Sequence, residues 1–175
     1  MKRVSRFITY IFVFFTALII FLPKESLYNL LEKKLFKNQI IISNELKEEK
    51  ILSFVILNGD LYYQGVNRAK VSEATLKTYI LFTNISLRNI NIYDFFGLSN
   101  PFTIDEIIFE HFVLNPHKVK IKASGIFGEL LGEINIFSGD IRIELNASSE
   151  MKSSYLYILK YMKYENERYI YEYKY

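Results

Sequence analysis

An apolar run near the N-terminus sets the first limit on how this chain can fold. Between Phe7 and Leu22 only Thr9 and Thr16 are polar. Basic residues flank the run, with Lys2, Arg3 and Arg6 before it and Lys24 after it. A helix of this length spans about 24 Å, and counting from Val4 brings the span to about 28 Å, close to the ~30 Å hydrocarbon core of a bilayer. The run therefore predicts a short cytoplasmic tail and a transmembrane helix within residues 1–24.

The end of the run indicates whether this segment is removed. A cleaved signal peptide needs small residues in an A-x-A-like pattern, whereas residues 18–25 read LIIFLPKE. This predicts an uncleaved signal anchor, with a buried core helix of a soluble protein as the alternative. Charge alone does not fix the orientation, because four lysines follow the run: Lys24, Lys33, Lys34 and Lys37. The short tail is typical of an export signal, so we predict a single-pass protein of the bacterial inner membrane with residues 25–175 in the periplasm.

The formal charge of +3 belongs to the anchor end. Residues 1–24 hold four basic residues and no acid, which leaves 18 basic against 19 acidic residues in 25–175, a net of −1. A nucleic-acid-binding surface would need basic residues in the folded part, so no direct nucleic-acid partner is expected. Half of the chain is apolar and cysteine is absent, which excludes a wholly disordered chain, disulfides, thiolate nucleophiles and Cys-ligated metals.

The segment after the anchor predicts a short amphipathic helix over residues 26–37. Ser26 is the candidate N-cap, and leucines follow it at helical spacing: Leu27, Leu30, Leu31 and Leu35. Two interpretations stay open for this helix. It either binds the membrane surface or a partner, with its lysines near lipid headgroups, or it covers one end of the sheet.

The pattern then changes to that of β-strands. Ile51–Leu57 is apolar and β-branched, and Asn58-Gly59 predicts a two-residue hairpin into Asp60–Gln64, which sets Ile56 opposite Leu61 and Phe54 opposite Tyr63. Three further strands are predicted between turn signals, the last of them between Asn100-Pro101 and Asn115-Pro116: Leu76–Phe82, Ile85–Ile92 and Ile104–Leu114.

Residues 119–145 predict an antiparallel meander. Ser124-Gly125 and Ser138-Gly139 separate alternating runs, and two-residue turns there would place Lys120 opposite Glu129, and Ile134 opposite Ile143. The second turn would also place Ile136 opposite Ile141, Asn135 opposite Arg142, and Glu133 opposite Glu144, with Arg142 diagonally within reach of Glu133.

The remaining residues complete the predicted fold. Ser148-Ser149 and Ser153-Ser154 offer caps for a second short helix, which would use Tyr155, Leu156, Leu159 and Met162. Residues 169–175 alternate, with four tyrosines on one face, which is typical of an ordinary strand, although such a face could also bind sugars or stack on bases. We predict a mainly β (α+β) protein: a transmembrane helix, a short amphipathic helix, a curved antiparallel meander, a short C-terminal helix and a final strand.

The sequence offers little chemistry. It contains no phosphate-binding glycine loop and no G-x-S-x-G motif. Glu110, His111 and His117 were weighed as a metal site, but their spacing is not that of a known ligand pattern, and they are interpreted as structural. Asp105 and Glu106 are adjacent on a strand and would point to opposite faces, which does not suit an acid and base pair. We expect no enzyme activity, no metal and no cofactor.

Two surface features remain as candidate sites. Lys118, Lys120 and Lys122 share one strand face and could contact lipid headgroups or a partner, or they could simply be solvated, since Glu129 is predicted opposite Lys120. Asn146 lies in an N-x-S sequence with Glu144 two residues before it, which is similar to the extended acceptor sequence of bacterial N-glycosylation. Asn146 is predicted to follow a strand end.

The order of segments resembles a known family. It is a signal anchor ending in Leu22-Pro23-Lys24, a leucine-rich helix with LYNLL, a hairpin through GDLY, and then GIFG and GEINI. This order resembles type II secretion system protein N and the AsmA-like envelope proteins related to it.

The resemblance implies a non-catalytic inner-membrane protein whose periplasmic β domain helps assemble or stabilise a type II secretion-like apparatus. Related machines also drive natural transformation, so a DNA-uptake apparatus is an equally open client, with apparatus proteins rather than DNA as the expected contacts. The AsmA-like relatives imply an alternative, a lipid-binding or lipid-transport envelope protein whose sheet holds an acyl chain. Both faces of Ile51–Leu57 and much of Ile104–Leu114 are apolar, which suits that alternative.

Overall fold

The structure, a computed structural model, describes residues 2–93 and 101–175. Its helices are α1 (Lys2–Ile20), α2 (Lys24–Lys37), α3 (Ser149–Ser154) and α4 (Leu156–Leu159). Its strands are β1 (Ile40–Ser43), β2 (Leu46–Glu49), β3 (Ser53–Tyr63), β4 (Val66–Thr78), β5 (Phe82–Ile92), β6 (Phe102–Phe112), β7 (Lys118–Gly125), β8 (Gly128–Asn135), β9 (Asp140–Ala147), β10 (Lys163–Glu165) and β11 (Arg168–Lys174).

The strands form one antiparallel sheet of eleven strands, which confirms the predicted mainly β architecture with short helices. Its order is β1-β3-β4-β5-β6-β7-β8-β9-β11-β10, and β2 also pairs with β3. Strands β1 and β2 thus share one edge along β3, while the three-residue β10 forms the other edge. Short or interrupted edge strands limit edge-to-edge association with other chains.

Helix α1 contains the predicted anchor, and its large apolar side chains are exposed. Among the described residues, no single helix meets the length and hydropathy of a membrane span. The segments Val4–Ile20 and Lys24–Lys37 meet it only as a pair, with a bend of 58° between them.

Helix α2 confirms the predicted helix over residues 26–37 but not its cap, and three of its four predicted stripe leucines are exposed: Leu27, Leu30 and Leu31. It begins at Lys24, after Pro23, and the cap position makes no side-chain hydrogen bond, so the prediction of Ser26 as N-cap is wrong. The Glu49 carboxylate at the end of β2 accepts hydrogen bonds from the backbone N–H groups of Lys24 (3.0 Å) and Glu25 (3.4 Å). A carboxylate at a helix N-terminus satisfies otherwise unpaired donors and complements the helix dipole.

A line of irregular backbone crosses the sheet from the edge of β1 and β2 to β6. Asn44, Asn58 and Asn89 have positive φ angles of 63°, 57° and 49°. Ser72 of β4 and Asp105 of β6 lie at the same level, and the regular pairing of the strands skips this level. Short polar side chains tolerate the left-handed region better than other residues do. We call these five residues the crease.

The crease reverses which side chains face the core. Leu87 and Ile90 are three residues apart in β5, yet both pack under α3 and α4, and so do Ile104 and Ile107 in β6. In an uninterrupted strand, residues three apart lie on opposite faces. The alternation of apolar residues therefore changes phase at the crease.

The crease also explains why the hairpin predicted at Asn58-Gly59 is wrong. Asn58 does adopt a positive φ, as a type I′ turn requires, but β3 continues through it to Tyr63 and turns at Gln64-Gly65. Ile56 therefore pairs with Ala74 and Phe54 with Leu76, instead of with Leu61 and Tyr63.

The next three predicted strands have mixed outcomes. The prediction of a strand at Leu76–Phe82 is wrong, because β4 ends at Thr78 and residues 79–81 form the turn into β5. The strands predicted at Ile85–Ile92 and Ile104–Leu114 are confirmed as β5 and β6. Asn100, part of the predicted break before β6, lies outside the described residues.

The meander predicted over residues 119–145 is confirmed as β7, β8 and β9, but both turns are displaced. The first turn lies at Ile126-Phe127, so Lys120 pairs with Glu133 and not with Glu129. Gly128 accommodates this turn with a φ of +105°. A buried aromatic side chain, Phe127, draws the turn towards the core, where its ring stacks on that of Phe102.

The second turn spans residues 136–139. The predicted pairs of Ile136 with Ile141, Ile134 with Ile143, Asn135 with Arg142 and Glu133 with Glu144 are therefore wrong, and the observed pairs are Ile134 with Ile141, Asn135 with Asp140 and Glu133 with Arg142. The new register places opposite charges across from each other, which removes the pairing of two acids. Because both turns shift the register by an even number, each side chain keeps its predicted face.

Helices α3 and α4 cover part of one sheet face. The predicted cap is confirmed at Ser148, whose Oγ accepts from the N–H of Met151 at 3.0 Å. The buried cluster beneath the helices combines helix and sheet residues: Ile90, Phe102, Ile104, Phe127, Leu145, Ala147, Met151, Tyr155 and Leu159. Each such large side chain contributes about 1.5–3 kcal/mol by burial, which outweighs the weak propensity of two short helices. The predicted final strand is confirmed as β11, which pairs with β9.

Candidate functional site: the apolar face of the sheet beside helix α1

The two faces of the sheet differ in chemistry between the crease and the turns at residues 79–81, 113–117 and 136–139. One face carries charged residues in neighbouring strands: Lys77, Glu110, Lys120, Glu133, Arg142 and Glu172. We call it the polar face. The opposite face is apolar, and α3 and α4 cover its half nearest the crease.

Two rows of the apolar face lie beyond this cover. The first row begins beside Phe54, which Tyr28 of α2 covers, and continues in register across the strands, with Gly132 between the isoleucines: Leu76, Ile85, Phe109, Ile121, Ile143 and Tyr171. The second row contains Val119, Ile134, Ile141 and Tyr173. We call them the open rows. None of these residues belongs to the cluster under α3 and α4, and Ile85 is 40% exposed.

The open rows are an apolar feature of the sheet that the described helices α3 and α4 leave uncovered. A solvated antiparallel sheet normally has one apolar face against its core and one polar face in water. Here the polar face is the one in water, so the open rows belong to the face that a sheet of this kind normally packs against its core. Contiguous apolar surface of this kind marks a site for protein, lipid or membrane contact.

The three lysines predicted to share a face do so, and they lie on the polar face. Lys118 Nζ forms an ion pair with Glu133, and Lys122 Nζ lies 3.1 Å from Glu110 Oε2. Lys120 is exposed and stands in the ladder between Glu110 and Glu133. Acidic neighbours therefore balance the lysine stripe.

The same balance extends across the polar face. Arg88 Nε lies 2.8 Å from Glu106 Oε1, and Arg142 Nη1 lies 2.8 Å from Glu172 Oε1. The pKa of the Arg88 guanidinium is raised, first by its hydrogen bond to Glu106. Alternating and paired charges of this kind give a solvated surface and do not concentrate the positive potential that nucleic-acid binding needs.

Asn146 lies within β9, as its penultimate residue, so the prediction that it follows the strand end is wrong. It is exposed on the polar face opposite Glu129. The serine of its N-x-S sequence, Ser148, caps α3 and also donates a hydrogen bond to the carbonyl of Ile126. The structure thus gives Ser148 a role in folding that is independent of glycosylation.

The residues weighed for a metal site are engaged separately. Glu110 binds Lys122, His111 Nε2 lies 3.1 Å from the carbonyl oxygen of Pro116, and the His117 ring stands 6.3 Å from that of Phe137. Within residues 2–93 and 101–175, no three His, Asp or Glu side chains come together as a metal site. Glu106 is bound to Arg88 and Asp105 lies in the crease, where the pairing with β7 shifts.

A polar junction that the sequence pattern does not predict holds α1 beside the sheet. The sequence indicates only a flanking charge at Lys24, yet Lys24 is 2% exposed, and its Nζ donates a hydrogen bond to the carbonyl of Ile51 at 2.8 Å. Its Nζ also lies 3.9 Å from Glu49 Oε1. Together with the cap that Glu49 provides, this junction joins the turn between α1 and α2 to the start of β3.

A second missed feature fixes α2 on the sheet edge. Tyr28 is buried against Phe54, with ring centroids 5.5 Å apart, and Lys47 Nζ lies 4.6 Å above the Tyr28 ring. Burial, and then the nearby charges of Glu45 and Glu32, raise the pKa of the Tyr28 hydroxyl well above its usual value. For Lys47, burial lowers the pKa, but hydrogen bonds to Glu45 and Glu32 outweigh it and raise the pKa overall. Both groups therefore keep their neutral-pH ionisation states.

Comparison with known proteins adds no relative to this geometry. No protein-family model, no curated protein and no solved structure matches the chain.

Proposed function

We propose that this chain is a non-catalytic protein that α1 anchors in the bacterial inner membrane in a single pass, with residues 25–175 in the periplasm. It helps to assemble or stabilise a type II secretion-like or DNA-uptake apparatus by binding another envelope protein through the open rows. The observation that carries this proposal is a contiguous apolar sheet surface, left open by α3 and α4, in a protein with an exposed apolar helix. The resemblance to type II secretion system protein N supports the choice of apparatus.

The chemistry of the surface favours a protein or a lipid over nucleic acid as the ligand. The open rows supply apolar side chains and tyrosines, which are typical of the centre of protein interfaces. On the polar face, ion pairs with acidic residues engage Arg88, Lys118, Lys122 and Arg142. The apparatus is therefore contacted through its proteins.

A matched pair of variants tests this function in the native host. Ile85→Glu places a charge in the first open row, whereas Leu131→Glu places one on the polar face, and both positions are half-exposed, at 40% and 47%. Burying an unpaired carboxylate in an apolar contact is costly. We therefore expect Ile85→Glu to reduce the complementation of a deletion strain by about tenfold or more, relative to the wild type. Leu131→Glu should complement fully. Secretion and DNA uptake are the measured quantities.

Two outcomes would contradict the proposal. One is a deletion strain with normal secretion and normal DNA uptake, which would leave the apparatus without a role for this chain. The other is full complementation by Ile85→Glu, which would remove the open rows from the function. The amount and thermal stability of each variant are measured in parallel, so that a folding defect is recognised.

The open rows also favour a second function, the binding of a lipid acyl chain. They are apolar along two full rows of the sheet, and a lipid tail needs only such a continuous apolar track. Native mass spectrometry of the purified full chain should then show bound phospholipid in the wild type and in Leu131→Glu, but not in Ile85→Glu. A wild-type protein that carries no phospholipid would exclude this function and leave the first one standing.

A further inference from the structure

Exposed apolar side chains gather at one end of the sheet. In an antiparallel meander every second connection lies at the same end, and here this end contains the start of β3 and the turns β4–β5, β6–β7 and β8–β9. Each of them exposes large apolar residues: Ile51 and Leu52, Tyr79 and Leu81, Val113 and Leu114, Ile136 and Phe137. Leu114 and Phe137 are each 79% exposed, at the tips of their turns.

The described turns at the opposite end differ in character. Gln64-Gly65 is polar at its tip, with Tyr63 and Val66 exposed beside it, and the turn at Ile126-Phe127 buries its phenylalanine in the core. Single exposed apolar residues are normal on a protein surface and need no explanation. Their concentration in four successive connections at one end indicates a surface that water does not cover.

Helix α1 arrives at this same end. Its last turns line an apolar cavity together with the connections of the sheet, through Thr16, Ile19 and Ile20 on one side and Leu52, Leu81 and Phe112 on the other. Thr16 lies four residues before the end of α1, which corresponds to about 6 Å along the helix axis. If α1 spans the bilayer, side chains at the level of Thr16 lie below the membrane surface.

We propose that this end of the sheet inserts its apolar turns into the outer face of the phospholipid bilayer that α1 spans. The inference rests on the membrane anchoring in the proposed function and adds a second, independent membrane contact. The sheet then stands on the membrane, and the open rows begin at the bilayer surface, so that an acyl chain or a membrane partner reaches them directly.

The residues next to the turns suit a lipid interface. Tyr79, Phe82 and Phe112 stack in a row, with ring centroids 4.4 and 5.7 Å apart, and aromatic side chains are enriched at the level of the headgroups. Lysines lie beside the turns at Lys50, Lys77, Lys118 and Lys174, and three of them form surface ion pairs: Lys50 with Glu48, Lys118 with Glu133, and Lys174 with Asp140. Their long side chains can reach lipid phosphates while their apolar stems remain among the acyl chains.

Site-specific fluorescence on the full chain tests the insertion. The natural sequence has no cysteine, so Leu114→Cys and Phe137→Cys each give one site for an environment-sensitive fluorophore. Gln64→Cys, at the opposite end of the sheet, is the matched control, and Phe14→Cys reports α1 itself. Each labelled protein is reconstituted into vesicles of phosphatidylethanolamine and phosphatidylglycerol, with and without lipids that carry a spin-label quencher in the acyl chain.

Insertion predicts several-fold stronger quenching by the spin-labelled lipid at positions 114 and 137 than at position 64, with a blue-shifted emission. Aqueous iodide should show the reverse order. If the label at position 14 is quenched by lipid while those at 114 and 137 respond to iodide as position 64 does, the insertion is wrong but the anchor stands. Labels at 114 and 137 that neither quencher reaches would indicate a protein contact and would also overturn it. A label at position 14 open to iodide would overturn the anchoring and the insertion together.

Discussion

Lys24 shows how one buried charge can join two parts of this molecule. Its ammonium group lies in the junction between α1, α2 and the start of β3, where it donates a hydrogen bond of 2.8 Å to the Ile51 carbonyl oxygen. Burying an ammonium group is costly unless it is hydrogen-bonded, so this contact holds the junction in one arrangement. The end of α1 is thereby held next to the apolar turns of the sheet.

Replacing Lys24 by methionine tests this role. Lys24→Met keeps much of the volume but leaves the Ile51 carbonyl without its partner, and hydrogen bonds to charged groups contribute about 1.5–3 kcal/mol. We expect the free energy of unfolding to fall by about 2 kcal/mol, with a lower melting temperature by circular dichroism in detergent micelles. Lys33→Met, on the exposed part of α2, is the control and should change little. Equal melting temperatures for both variants would rule out the junction.

The role of Lys24 could not be predicted from the sequence. Its position after an apolar run is typical of a membrane-flanking charge, and that interpretation needs only local residues. Helix α2, strand β1 and most of β2 lie between Lys24 and its partners Glu49 and Ile51 in the chain. No short sequence pattern connects Lys24 with these partners. Ser148 is the opposite case, because a serine before a helix acts on N–H groups two or three residues away, so its cap was predicted correctly.

At the scale of elements, the crease determines which side chains of each strand face the core. The crease is also where the sequence pattern predicts the wrong structure, a hairpin. Asn58-Gly59 has the composition of a hairpin turn, and Asn58 has the backbone angle of one. What the local pattern does not show is that Ser72, Asn89 and Asp105 lie at the same level of the neighbouring strands. The signal that could have shown it is the change of phase from Leu87 to Ile90 and from Ile104 to Ile107.

Substitutions at Asn89 test the crease. Asn89 is exposed and has a φ of 49°, a conformation that β-branched residues adopt poorly. We expect Asn89→Val to lower the free energy of unfolding by about 1–2 kcal/mol, and Asn89→Gly to be neutral within about 0.5 kcal/mol. The measurement is chemical unfolding followed by circular dichroism.

A second position in β5 separates backbone strain from a loss of polar contacts. Asn84 pairs regularly with Lys77 and Glu110, away from the crease, so Asn84→Val should be neutral or stabilising in an extended strand. If Asn84→Val and Asn89→Val destabilised the protein equally, the positive φ at Asn89 would not be the cause.

At the scale of the whole molecule, the distribution of charge separates the two sheet faces and controls how well the last strands are held. The face on which each side chain of the meander lies was predictable, because a register shift by an even number of residues keeps each side chain on its face. The placement of the end of α1 beside the apolar turns was not, because it depends on the topology of all eleven strands. We expect the C-terminal strand β11 to depend on this charge distribution more than the helix-covered centre does, because Glu144 and Asp140 of β9 form ion pairs with Arg168 and Lys174 of β11.

Two carboxylates of β9 connect it to β11 and make this contact sensitive to pH. Hydrogen bonds from Arg142 and then from Arg168 lower the pKa of Glu144, and hydrogen bonding to Ser138 together with the charge of Lys174 lowers that of Asp140. A carboxylate whose pKa is lower in the folded state stabilises the fold above its unfolded pKa, and this stabilisation is lost as the pH falls through the folded value. For Glu144 the loss begins near its usual pKa of 4.5 and continues below it.

Hydrogen exchange measured at several pH values tests whether these charges hold β11 on β9. The protection of each segment is corrected for the intrinsic exchange rate. Between about pH 6 and pH 3.5 we expect residues 168–174 to lose protection before residues 102–107, since Phe102, Ile104 and Ile107 pack under α3 and α4. Glu144→Gln removes the titrating group, so protection of residues 168–174 should already be lower at pH 6 and should change less on acidification. Parallel loss of protection in both segments of the wild-type protein would show that the ion pairs of the polar face do not control the β9–β11 contact.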